Sequence, residues 1–324
     1  MKPSWILLAV FVQVLSSVAS VIPQVLVNSD TDHVNAVVFT QDRKASKKTL
    51  IDVLKENKLL DMADLIYRAG LTKNFTSTDN FTVLAPSDLA LDNLPYVIRE
   101  KLLTNTKFAK TFVEYHVLKG SAPSTSLQQD QVNATLLQNR TVRFNRYTVD
   151  KKSEITVNGA VLDKVDLQAS DGVVHALDKA LWPQAQYDIL DAISTTKSLS
   201  TFAKAIKDGG MNGTLAGHGP FTIFAPTNEA CKKHGVITTE DAKEIVLYHS
   251  VGGTQYSAGL HDKEELTTML KLHLLTRKLE IRLKDGQFSV KGRKDTAKVT
   301  VADIPVNNGV LHIIDTVLRP PLLY

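Results

Sequence analysis

Phe81-Thr-Val-Leu-Ala-Pro-Ser-Asp88 returns as Phe221-Thr-Ile-Phe-Ala-Pro-Thr-Asn228. Two further stretches return in the same order. Tyr115-His116-Val117 is matched by Tyr248-His249-Ser250, and Gly172-Val-Val-His-Ala-Leu-Asp178 by Gly309-Val-Leu-His-Ile-Ile-Asp315. The offsets are 140, 133 and 137 residues. A period that long is a duplicated domain, because solenoid repeats are far shorter. The break falls after Leu181-Trp-Pro183, where proline ends an element. The units are therefore placed at 46–184 and 185–321.

Each unit opens on helical spacing: Leu50, Val53, Leu54, Leu60 and Ile66 in the first, Ile189, Ile193, Phe202 and Ile206 in the second. A short strand follows, Phe81–Leu84 or Phe221–Phe224. Ala-Pro-Ser/Thr then reads as a turn, with Ser87 or Thr227 capping a new helix. Asp88 and Glu229 stand in its first turn, where the helix dipole favours negative charge. The later half of each unit reads as strands. Leu279, Ile281 and Leu283 alternate with Glu280, Arg282 and Lys284, and Asp285-Gly286 marks a two-residue hairpin. Asn158-Gly159 plays that part in the first unit. Helices first and strands later predict an α+β fold. Each unit holds the full set of blocks and is expected to fold alone.

These blocks resemble the fasciclin-like (FAS1) family, with the nearest likeness among animal matrix proteins. The family's first block is matched at 81–88 and 221–228, and its Asn-Gly-Val-Val-His block at 171–178 and 308–315, with Asp171 in place of Asn. The Tyr-His pair between them is a third family feature. The resemblance implies two tandem FAS1-type domains, each a β-sandwich-like wedge flanked by helices. It also implies cell adhesion or matrix binding rather than catalysis. In some members the Tyr-His region and an Asp-Ile pair before the last block are implicated in integrin binding. By that likeness Tyr115, His116, Tyr248, His249, Asp303 and Ile304 become receptor-contact candidates. An aspartate suits an integrin because the receptor's metal ion takes a carboxylate oxygen. Pro305 departs from the family pattern, and no Arg-Gly-Asp occurs. The residues alone leave a second reading open for both Tyr-His pairs: amphipathic framework side chains with buried hydrogen-bond partners.

Composition narrows the function classes. The chain has 324 residues, 43% hydrophobic and 22% charged, with a net charge of +4. That hydrophobic content excludes a disordered chain, and the modest charge gives no argument for nucleic acid. One cysteine, Cys231, excludes an internal disulfide, a multi-cysteine metal site and a Cys-x-x-Cys redox pair. It is expected to be buried, the alternative being a link between two chains. His175 and His312 lie in apolar runs and are expected as buried neutral imidazoles without metal-ligand spacing. No catalytic or cofactor motif occurs, so neither an enzyme nor a cofactor is expected.

Residues 1–20 read as a secretory signal peptide: Lys2, an apolar run from Trp5, and Val18-Ala19-Ser20 for cleavage. Residues 21–45 form an N-terminal extension. No later run suits a membrane span, and the C-terminus lacks the tail of a lipid-anchor signal. The expectation is a protein of the extracellular space or matrix. Five sequons fit that route, at Asn74, Asn80, Asn133, Asn139 and Asn212. Residues 271–298 hold nine Lys/Arg against Glu280, Asp285 and Asp295. Lys278, Arg282, Lys284, Lys291, Arg293 and Lys294 are the polyanion candidates, and a sulfated glycosaminoglycan is the expected polyanion. The expected partners are thus a cell-surface receptor such as an integrin, a matrix protein, or that polysaccharide; the alternative function is a structural or storage matrix glycoprotein without receptor activity.

Overall fold

Leu50, Val53 and Leu54 turn inward along the helix Leu50–Glu56 (α1), and Met62, Leu65 and Ile66 along Leu60–Arg68 (α2). They cover one face of the strand Phe81–Pro86 (β1), which is buried along its whole length. The computed structural model describes residues 48–74, 80–149, 152–183, 187–272 and 275–321. The signal-peptide and extension readings lie outside the described residues. The apolar character of the first block follows from period-two alternation between two cores. Phe81, Val83 and Ala85 face the helices, whereas Leu84 joins the second core with Phe144, Val157 and Leu177.

The remainder of repeat one is Asp88–Asp92 (α3), Tyr96–Thr104 (α4), Thr106–Tyr115 (α5) and six further strands. These are Val117–Lys119 (β2), Gln131–Ala134 (β3), Thr141–Val149 (β4), Lys152–Val157 (β5), Ala160–Ala169 (β6) and Gly172–Leu177 (β7). They form a sheet in the order β2-β1-β7-β6-β5-β4-β3. Only β1 and β7 run parallel, in register from Phe81↔Gly172 to Pro86↔Leu177. The expected caps are present: Ser87 Oγ accepts from the Ala90 amide at 3.2 Å, and Thr227 Oγ1 from the Ala230 amide at 3.1 Å.

Repeat two opens with Ile189–Thr195 (α6), Ser200–Asp208 (α7) and Asn212–Leu215 (α8). Phe221–Pro226 (β8), Asn228–His234 (α9), Thr239–Tyr248 (α10) and Ser250–Gly252 (β9) follow. The strands Glu265–Leu272 (β10), Leu275–Lys284 (β11), Gln287–Lys291 (β12), Thr296–Val306 (β13) and Gly309–Ile314 (β14) complete it. Here the sheet closes into a barrel, β10-β11-β12-β13-β14-β8-β9. Closure is made by Thr268 of β10 against Val251 of β9. In repeat one the corresponding edges meet at the single bridge Leu118↔Thr135. Both hairpin turns have the left-handed backbone that Asn-Gly and Asp-Gly permit: φ is 47° and 80° at Asn158 and Gly159, 52° and 72° at Asp285 and Gly286.

The repeats are clamped to one another. Tyr256 is fully buried, with Gly159 of repeat one so near that an added Cβ would lie 2.7 Å from its ring. The Tyr147 hydroxyl donates to the Thr254 carbonyl at 3.1 Å and accepts from the Tyr256 amide at 3.2 Å. Asn145 Nδ2 donates to Thr254 Oγ1 at 2.6 Å, and Arg143 to the Asn307 carbonyl at 2.8 Å. A separated half would expose these surfaces. The two repeats are thus joined by a specific polar interface.

One departure from the family block has a visible cost. Asn308 Oδ1 accepts from the Ile189 amide at 2.9 Å, and its Nδ2 donates to the carbonyls of Leu215 and Gly217 at 2.9 and 3.0 Å. Asp171 accepts from the Leu50 amide at 2.7 Å in the same way, but its Oδ2 is buried without a partner among the described residues. An orphaned buried acceptor costs ~1–3 kcal/mol. Asp171→Asn is expected to stabilise the protein by about 1–2 kcal/mol in urea unfolding, and an unchanged midpoint would refute that assignment.

Candidate functional site

Both Tyr-His pairs close the C-terminus of a helix, at the end of α5 and of α10. Tyr115, His116, Tyr248 and His249 are 3%, 0%, 1% and 0% exposed. His116 Nδ1–H donates to the Phe112 carbonyl at 2.8 Å, and its Nε2 accepts from the Leu181 amide at 3.0 Å. His249 repeats the arrangement, donating to the Ile245 carbonyl at 2.7 Å and accepting from the Leu318 amide at 3.0 Å. Each imidazole is a neutral bracket between the helix end and the last segment of its repeat. Burial pushes both imidazoles down to about 4. Tyr115 OH donates to the Thr141 carbonyl at 3.3 Å, and Tyr248 OH to the Lys278 carbonyl at 3.3 Å. In this structure the four side chains have the hydrogen bonds of buried framework residues, and no more than 3% of any of them is exposed to a partner.

Asp303 of β13 sits in a β-bulge with φ 60°, and Asp166 of β6 occupies the equivalent bulge with φ 58°. The Ser257 amide donates to Asp303 Oδ1 at 2.7 Å, and the Ser257 hydroxyl donates to its other oxygen. Asp166 holds Ser124 in the same way, its Oδ1 accepting from the Ser124 amide at 2.7 Å. The Asp303 amide donates to His312 Nδ1 at 3.2 Å, and His312 Nε2–H donates to the Gln255 carbonyl at 2.9 Å. His175 links the Asp166 amide to the Ala122 carbonyl likewise. Both histidines are therefore neutral, and burial lowers both. His312 stacks on Phe224 at 5.2 Å. Asp303 and Ile304 are half-buried, and both carboxylate oxygens of Asp303 already have donors from Ser257.

The basic candidates lie outward on the barrel of repeat two, as the alternation requires. Leu279 and Ile281 are buried while Lys278 and Lys284 are exposed and Arg282 is half-buried. Their pairing is uneven. Lys278 meets Glu265 at 2.7 Å, and Arg282 and Lys291 flank Glu280 at 2.5 and 3.6 Å. Asp295 is taken by Arg319 at 2.5 Å, whose hydrogen bonds hold its carboxyl below the usual range. Lys284, Arg293, Lys294 and Lys298 are exposed and have no ion pair among the described residues. The basic surplus thus centres on the hairpin tip and the β12–β13 turn.

Cys231 is buried beside Ala230, Ile245 and Val317, and burial pushes its thiol up to about 11. Asn80, Asn139 and Asn212 are exposed and Asn133 is half-buried. Asn74 ends a 3-10 turn, and the rest of its sequon lies outside the described residues. Among the described residues there is no His, Cys, Asp and Glu group able to hold a metal ion, and no helix long and apolar enough to cross a membrane. Sequence reasoning missed Ser124 and Ser257, Leu181 and Leu318, and the clamp of Tyr147 and Tyr256. Leu181 and Leu318 act through backbone amides alone, which leave no residue-type signal, whereas Ser124 and Ser257 bind their aspartates through both amide and hydroxyl across 42 and 46 residues.

The duplicated blocks, the parallel β1–β7 and β8–β14 pairs and the matched histidine brackets define a tandem module. A sequence profile of the fasciclin domain matches residues 57–183 and again 197–320, and the chain belongs to that family in two copies. It is 27% identical over 260 residues to the transforming growth factor-beta-induced protein ig-h3 of Oryctolagus cuniculus, covering 74% of this chain and 35% of the relative. It is 30% identical over 258 residues to periostin of Homo sapiens, covering 77% of this chain and 29% of the relative. The chain thus spans about a third of the length of these curated relatives. Among solved structures it matches a FAS1 domain pair from the insect cell adhesion molecule fasciclin I. That match has 18% identity and a TM-score of 0.38, and covers 82% of this chain and 98% of that one.

Proposed function

We propose that this chain is an extracellular adhesion or matrix-binding module whose contact surface is the basic face of β11–β13 and whose ligand class is a sulfated glycosaminoglycan. Family membership supports the adhesion or matrix class, since that is what the resemblance implies. The observation that carries the ligand is the set of unpaired, exposed cations at Lys284, Arg293, Lys294 and Lys298. Clustered cations on a rigid barrel attract a polyanion through their summed potential. Secretion directed by residues 1–20 and glycosylation at the exposed sequons belong to the same reading.

Heparin-affinity chromatography tests it. Arg293→Glu with Lys294→Glu is expected to elute at clearly lower salt than the parent, because surface electrostatics are screened. Unchanged elution would overturn the ligand assignment. The receptor reading, an integrin engaging Asp303 and Ile304, requires the Asp303 carboxylate to leave Ser257. It gains support if cation-dependent cell attachment survives the loss of heparin binding but not Asp303→Ala in a folded protein.

A further inference from the structure

Repeat one carries seven more residues than repeat two between the first block and the Tyr-His pair, as the fall in offset from 140 to 133 shows. They correspond to α4, Tyr96–Thr104; in repeat two the connection Gly235–Thr238 has no helix. This additional helix does little for the core: Leu102 alone of its nine residues is buried. Tyr96, Val97 and Leu103 are 71%, 57% and 55% exposed. Leu60 and Tyr67 of α2 and Leu89 of α3 are also exposed. Of thirteen exposed large apolar residues among those described, six lie between residues 60 and 103. Single exposed apolar residues are ordinary, whereas a concentration of them marks an interaction surface.

Between α2 and α4 runs a groove of about 440 Å³. Leu65, Leu91, Tyr96 and Leu103 give it an apolar lining, and Asp61, Asp64, Asp92 and Glu100 an acidic rim. The guanidinium in the groove, Arg99, is paired with Asp92 at 3.2 Å. Arg68 alongside is paired with Asp64 at 2.5 Å. Partial burial, with Asp88, Asp92 and Asp64 nearby, raises the Asp61 carboxyl above its ordinary range. A fitting occupant carries an apolar side chain flanked by cations.

The chain contains such an element. The β11–β12 hairpin sets Leu283, 36% exposed, beside half-buried Phe288, with Arg282 and Lys284 on either side. Residues 271–298 as a whole carry nine cations against three carboxylates. We infer that the acidic groove of repeat one receives the basic hairpin of repeat two from a second copy of this chain. The two faces are different surfaces on opposite repeats, so the contact is heterologous. A heterologous contact that does not close into a ring propagates into a linear assembly.

Sedimentation velocity on the purified chain tests this. The weight-average mass is expected to rise with protein concentration and to fall as salt is added. Tyr96→Asp with Glu100→Lys disables the groove, and Leu283→Asp with Lys284→Glu the hairpin. All four residues are exposed, and circular dichroism verifies folding. Each variant alone should associate about tenfold or more weakly than the parent. Mixing the two variants should restore association only to a one-to-one dimer, because each keeps the face the other lacks. A parent that stays monomeric at every concentration would overturn the inference. So would association unaffected by either variant, or a mixture that forms no dimer.

Discussion

Gly309→Ala prevents repeat two from folding. Gly309 opens β14 opposite Phe221 of β8, with φ at +158°. A Cβ there would lie 2.0 Å from the Phe221 carbonyl oxygen and 2.9 Å from its carbonyl carbon and amide nitrogen. All three are backbone atoms of a fully paired strand, so no side chain can turn aside to relieve the clash. Moving β8 would break the parallel register that holds both cores of the repeat. The expected cost exceeds ~4 kcal/mol, the exceptional end of single substitutions. That is much of the ~5–15 kcal/mol that holds a typical domain together. The equivalent Gly172 meets the Phe81 carbonyl oxygen at the same 2.0 Å. Thermal unfolding followed by circular dichroism decides the matter. Loss of the native transition, or of soluble protein, is predicted, whereas a Gly309→Ala protein melting with the parent would show the β8–β14 register to be wrong.

Acid unfolds the protein through its brackets. His116 and His249 are neutral, fully buried, and titrate near 4 in the folded chain against an ordinary value of about 6.5. Between those values the unfolded chain binds the proton and the folded chain does not. Stability is therefore complete above about 6.5 and falls as pH drops toward 4, by ~1.4 kcal/mol per pH unit for each histidine. From pH 7 to pH 5 the pair removes on the order of 4 kcal/mol. His175 and His312, also lowered by burial, act in the same direction. Urea midpoints measured from pH 7.5 to 5 are expected to fall steeply. His249→Asn keeps a donor for the Ile245 carbonyl but loses the acceptor for the Leu318 amide. It should begin less stable and show a shallower slope with pH. A slope identical to the parent's would remove His249 from the account.

The parts of this fold legible in sequence were those with local causes. Ser87 and Thr227 cap helices three residues away, Asp285-Gly286 demands a left-handed turn, and the buried strands read as apolar runs. The candidate site was harder, because its chemistry is made at long range. Asp303 reads as a free carboxylate until Ser257, 46 residues earlier, is seen donating to it. His116 can be read as a contact or as framework, and the framework partner, the Leu181 amide 65 residues later, is not visible in the local sequence. The alternation that places Leu279 and Ile281 inside the barrel predicts the same for Leu283, which is instead 36% exposed near the hairpin tip. The shift in offset from 140 to 133 did hold a legible clue. It marks α4, and with it the exposed surface between α2 and α4.

On the proposed reading, labour is divided: the repeated histidines hold the fold, and the exposed basic face does the binding. Heparin elution and the urea midpoint, measured together for His249→Asn and for Arg293→Glu with Lys294→Glu, separate the two roles. His249→Asn should lower the midpoint at pH 7.5 and leave elution unchanged, while the double charge reversal should do the reverse. A His249→Asn protein of parental stability that no longer binds, or a charge-reversed protein that binds as tightly as the parent, would contradict it.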